Sequence, residues 1–189
     1  MDATTVSTIF ERIEREVWIV TAAHGHLRGG LVATFVNLAS IAPEMPRIVV
    51  GIAKTHETWK LIEGSGALAV HLLDESQLDL VWRFGLRSSR EADKFADLQI
   101  KTGATGSPLL CDALAWFDCR VENRMDTGDR TIYLAEVIEA ALLREKRPLG
   151  LQRLLKTAPQ DKLALLRSQM AADAAHDAGE IASWRKARQ

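Results

Sequence analysis

The sequence predicts a mainly β protein, a small antiparallel barrel with peripheral helices. Three observations predict it. Runs of β-branched and aromatic residues follow one another along the chain, short turns rich in Gly, Asp and Pro separate them, and they do not alternate strictly with helices as in a doubly wound sheet. At 189 residues, with a hydrophobic fraction of 47%, the chain is the size of one ordinary globular domain.

From the N-terminus, Thr5 to Glu16 sets Val6, Ile9, Phe10 and Ile13 at helical spacing, which predicts an amphipathic helix laid over the barrel as a lid. Val17 to Ala23 reads as the first strand, the Gly25 to Gly30 segment as its hairpin loop, and Leu31 to Leu38 as the second strand. Pro43 and Pro46 stiffen the connection to a third strand, Arg47 to Ala53. A short helix covers Thr58 to Ile62, Gly64-Ser65-Gly66 stops it, and Ala67 to Leu73 is the next strand. Asp74 with Gln77 has the spacing of a capping box ahead of Leu78, Leu80, Val81 and Phe84, and Ser88-Ser89-Arg90-Glu91 repeats it for a short helix ending near Phe95. Ala113 to Val121 and Thr131 to Leu143 are two β-rich runs joined by a Gly- and Asp-bearing reversal, a long hairpin. Thr157-Ala158-Pro159-Gln160 opens a last helix with Leu163, Leu166, Met170, Ile181 and Trp184 on its face and Gly179 as a break. About six strands are expected, in a barrel domain over 1–147 followed by a helical extension over 148–189 that packs on the barrel or on a partner subunit.

Composition excludes several functions. A net charge of −1 without a basic stripe argues against nucleic acid, and no apolar run approaches a membrane span. Nothing near Met1 resembles a secretory signal, so the cytoplasm is the expected compartment. Cys111 and Cys119 lack the neighbours of a zinc site and read as structural. The GxSxG, HExxH, P-loop and GxGxxG patterns are absent.

Four segments carry chemistry instead. The strand Val32-Ala33-Thr34-Phe35-Val36-Asn37-Leu38-Ala39 holds small and hydroxyl residues where a packed core prefers large ones, which lets backbone N–H groups approach a ligand. Lys54, Thr55 and Thr58 sit where a strand ends and a helix begins, a natural phosphate cradle. Ser88, Ser89 and Arg90 form a polar loop between Phe84 and Phe95, and Gly128-Asp129-Arg130-Thr131 enters a strand.

Taken in order over roughly Val17 to Val137, these segments resemble the flavin reductase-like family. The Thr34 to Ala39 strand, Lys54 with Thr58, Phe84 through Lys94-Phe95, Pro108-Leu109 and Gly128-Asp129-Arg130 carry the resemblance. It implies an FMN-binding split β-barrel, antiparallel and Greek-key-like, that works as a homodimer with FMN, or FAD, near the subunit interface. It further implies NAD(P)H as co-substrate and a monooxygenase component as a partner. By the resemblance the flavin contacts are Val32, Ala33, Thr34, Asn37, Leu38, Ala39, Lys54, Thr58, Ser88, Ser89 and Arg90. Arg130 stands where the family often has His beside the nicotinamide; a permanent cation there suits a cofactor phosphate or a flavin carbonyl. Flavin performs hydride chemistry itself, so no acid–base dyad is required. Two other readings are a flavin-binding electron-transfer module reduced by a protein partner, and a haem protein using His24, His26, His56, His71 or His176.

Overall fold

The structure is a computed structural model that describes residues 2–86 and 93–189. Among the described residues nine strands form where about six are expected: β1 (Trp18–His24), β2 (Leu27–Ala33), β3 (Val36–Leu38), β4 (Arg47–Ala53), β5 (Ala67–Leu72), β6 (Ile100–Thr102), β7 (Pro108–Leu110), β8 (Ala115–Asp126) and β9 (Arg130–Leu142). The added strands are short ones, β6 and β7, and β3, which is split from the run read as one strand. That run, Leu31 to Leu38, bends at Thr34 and Phe35 and resumes as β3.

The bend explains the architecture. Seven strands pair antiparallel in the order β2-β1-β5-β8-β9-β4-β3. The two ends of the sheet, β2 and β3, are therefore consecutive in sequence and only two residues apart. A flat sheet would hold its two edges far apart, so this one curls into a half-barrel whose slit lies at Thr34–Phe35. The β1–β2 hairpin turns at Gly25 and His26, with Gly25 at φ 60, and β8 and β9 form the long hairpin read from the sequence.

Period-two alternation divides the core. Val20 and Ala22 of β1 pack inside the barrel with Val50, Ile52, Leu68, Val70 and Tyr133, whereas Ile19 faces a second cluster with Leu73, Phe84, Phe95, Leu110 and Leu149. His71 is fully buried between strands. Its Nδ1 lies 3.1 Å from the Ile19 carbonyl, and its Nε2 accepts from the Leu110 amide at 3.1 Å, so both ring nitrogens are occupied and it is unavailable as a haem ligand. Among the described residues no group of His, Cys, Asp or Glu is arranged to hold a metal ion.

The helices are α1 (Ala3–Arg12), α2 (Glu57–Ser65), α3 (Leu78–Gly85), α4 (Leu151–Thr157) and α5 (Gln160–Lys186). Asp2 caps α1 by accepting from the Thr4 and Thr5 amides. Its apolar residues Ile9, Phe10 and Ile13 remain exposed, so α1 does not form the expected lid. Asp74 and Gln77 do interact as the sequence suggests, the Asp74 amide donating to Gln77 Oε1 at 2.9 Å, but this links the turn before α3 rather than its first turn. Thr157 caps nothing: its hydroxyl donates to the Arg153 carbonyl and closes α4, a helix absent from the sequence reading, while α5 starts after Pro159. Gly179 does not break α5, which runs unbroken for 27 residues. Before these helices, Pro148 to Gly150 is bonded into the barrel through Val17 N to Leu149 O and Leu149 N to Leu73 O. No helix among the described residues is long and apolar enough to cross a membrane.

Candidate functional site at the barrel slit

β2 and β3 each pair on one side only, so both present unladdered backbone groups at the slit between them. Ala33 is buried, and Val32 and Thr34 are half-buried there. Phe35 folds its ring against β4 at Gly51, where any Cβ would occupy the same space as the ring. Gly51 is thus required for the wall of the slit.

The remaining strand residues lie at the other end of β4. Asn37 pairs with Val49 and turns its Oδ1 to the Leu38 amide, and Leu38, 74% exposed, pairs with Ile48. Leu38 and Ala39 border an apolar groove of about 650 Å³ with Ile41, Pro43, Phe117 and Val137. Ala53 lies five positions along β4 from Ile48, roughly 16 Å at strand rise. The predicted contacts therefore fall into two groups, one at each end of β4, joined by the strand edge.

The cationic group lies at the Ala53 end. Ala53 pairs with Arg130, which puts the β4–α2 turn beside the β8–β9 turn, and Lys54 N donates to Asp129 O at 3.0 Å. Lys54 Nζ binds Asp126 Oδ1 at 2.7 Å. Arg130 holds Asp129 through Nε and Asp177 of α5 through Nη2 at 2.7 Å. Thr58, on the first turn of α2, is 2% exposed. His56, not Thr55, precedes α2, and no side chain caps that helix; the surrounding protein holds the His56 imidazole below its usual value, with Asp173, Asp177, Lys94 and Arg130 all within electrostatic reach. Ser88, Ser89 and Arg90 lie outside the described residues.

Three residues here were given no site role by the sequence reading. Lys94 is 6% exposed and donates to the carbonyls of Gly30 and Phe84 at 2.8 and 2.9 Å, a buried ammonium behind β2. A Lys between Asp93 and Phe95 reads as a surface charge, and only the tertiary fold buries it. Asp177 and Asp173 sit on α5, more than 40 residues beyond the motif-bearing turn, and nothing local in the sequence links them to it.

The arrangement fits a flavin. Unladdered edge amides and the Lys54 and Arg130 cations suit its anionic and carbonyl oxygens, and Val32, Phe35 and the groove beyond Leu38 supply an apolar wall. Trp18 Nε1, buried without a partner among the described residues, stacks on Phe117 of that groove, leaving a donor beside it.

The family model for the flavin reductase like domain matches residues 10–155, a span that includes every strand of the barrel. The chain belongs to the flavin reductase-like family. Flavin reductase-like relatives include a ferric-chelate reductase (NAD(P)H) of Archaeoglobus fulgidus, 31% identical over 138 residues, covering 72% of this chain and 80% of the relative. A diflavin flavoprotein A 1 of Synechocystis is 32% identical over 127 residues, 67% of this chain, but the chain spans only 22% of that protein. The crystal structure of a nitrilotriacetate monooxygenase component B homologue from Mycobacterium thermoresistibile superposes with a TM-score of 0.69 at 31% identity, covering 78% of this chain and 80% of the other. The matched region of the flavin reductase-like chain ends before α5 begins.

Proposed function

We propose that the protein is an NAD(P)H-dependent flavin reductase that binds FMN, with FAD as the alternative flavin, and serves as the reductase component of a two-component monooxygenase in the cytoplasm. The observation that carries the reading is the family match across both halves of the slit. When bound, the flavin supplies the hydride acceptor. The chain's own residues bind and orient: edge amides of β2 and β3 meet polar ring edges, Val32 and Phe35 exclude water, and Lys54 and Arg130 attract phosphate oxygens. Arg130 offers a planar fork of N–H donors that orients an anionic group at the rim. A homodimer is part of the reading, supported by exposed Leu38, Ile41 and Met45 around the apolar groove and Ile9, Phe10 and Ile13 on α1.

Purified protein is expected to take up FMN and to oxidise NADH or NADPH once free flavin is supplied, followed by loss of nicotinamide absorbance. Absence of oxidation with both FMN and FAD overturns it. The second reading, an electron-transfer module reduced by a protein partner, is favoured by the two carboxylates that hold Arg130. Rapid NAD(P)H turnover without any partner removes that alternative.

A further inference from the structure

Helix α5 is 27 residues long, about 40 Å at helical rise, yet Leu163 is its only buried residue. It is held near both ends. Near its start Leu163 is buried, with Lys162 and Leu165 across a cavity from Asp79, Trp82 and Arg83 of α3, and at the far end the Glu180 carbonyl and Trp184 lie against Gly128 of the β8–β9 turn. Gly128 has φ +95, and a Cβ there would lie 2.7 Å from that of Trp184, so only glycine admits both the turn and the helix. Between these holds the helix passes the cationic end of the slit. Its inward polar groups there are carboxylates: Asp177 on Arg130 at 2.7 Å, and Asp173 within reach of His56.

We propose that α5 is a displaceable lid, closed by Asp177 occupying the anion position on Arg130, and opened when a cofactor phosphate takes that guanidinium. The inference rests on the flavin reductase reading of the slit. Three features support it. A carboxylate and a phosphate oxygen compete for the same N–H fork of Arg130. A helix with one buried residue has little apolar area to lose on lifting away, which places it at the low end of local stability. And α5 lies beyond the residues that the family model matches.

The test follows amide hydrogen exchange across residues 173–186 of the full chain alone, with FMN alone and with NADP⁺ alone; the two arms identify which phosphate opens the lid. Exchange in this segment is expected to accelerate with one of them. Asp177→Asn is expected to show the faster exchange without ligand and to lower the KM for that cofactor by about fivefold, the scale of one partly exposed ion pair, with kcat little changed. Trp184→Ala, which loosens the far hold and leaves the Arg130–Asp177 pair intact, is expected to act in the same direction. Exchange that slows or stays unchanged with both ligands, or a KM that rises in Asp177→Asn, overturns the lid and makes α5 a fixed wall. Failure of the wild type to oxidise NADH and NADPH overturns the reductase reading instead, and the exchange responses to FMN and to NADP⁺ still decide the lid.

Discussion

Burial gives single side chains in this barrel properties their sequence neighbours do not announce. His71 has its pKa pushed down to about 4, because burial disfavours the imidazolium more than the Ile19 carbonyl favours it. The unfolded chain protonates near 6.5, so between pH 6.5 and 4 the unfolded state binds the extra proton. Stability is therefore fully present above pH 6.5 and is lost on acidification through that window, by on the order of 3 kcal/mol. Urea melts across this range are expected to show the loss, and His71→Gln to flatten it while being less stable at pH 7 through its misplaced hydrogen bonds. Lys94 is the converse case, a charge kept inside by two carbonyls. Lys94→Met is expected to strand the Gly30 and Phe84 carbonyls and cost about 2 kcal/mol in the same melts. At the site, Arg130→Ala is expected to raise the nicotinamide KM tenfold or more while moving FMN affinity less, measured by steady-state kinetics and flavin titration. The type of these residues was legible in the sequence. Whether each was buried, paired or exposed was not, because Lys54 finds Asp126 and Arg130 finds Asp177 only across strand pairs and a distant helix.

Elements were legible where their period was strong and their ends chemically marked. The β1–β2 and β8–β9 hairpins follow from Gly25, Gly128 and alternating apolar residues, and both form. The break in Leu31 to Leu38 was hidden, since Thr34 and Phe35 are good strand formers and bend only because the sheet must close there. Gly51 marks the same closure from the opposite strand. Gly51→Ala is expected to push the Phe35 ring off β4, lowering stability by about 1 to 3 kcal/mol and weakening FMN binding, read together by thermal melts and flavin titration. Helix ends misled for another reason. Thr157 bonds back to Arg153, four residues behind it, a competing partner that a capping-box spacing does not exclude.

At the scale of the molecule, the antiparallel class was predictable from strand succession, whereas the sheet order was not, because β1 pairs with β5 and β4 with β9 across long stretches of chain; the slit at Thr34–Phe35 locates the candidate site without any catalytic motif. The apolar surface around Leu38 and Ile41 belongs to this scale as well. Leu38→Glu with Ile41→Glu is expected to shift a homodimer to monomer in sedimentation velocity while leaving the monomer's thermal melt nearly unchanged, since both side chains are already exposed. Joining consecutive strands at opposite ends of one sheet also orders assembly on the ribosome. The β1–β2 and β3–β4 pairs emerge first, yet the inner edge of β4, bearing Ile48, Val50 and Ile52, stays open until β9 has been synthesised some 80 residues later. A nascent chain stalled before residue 130 therefore exposes an apolar strand edge with no partner of its own, and β9 is the strand whose arrival protects it from aggregation.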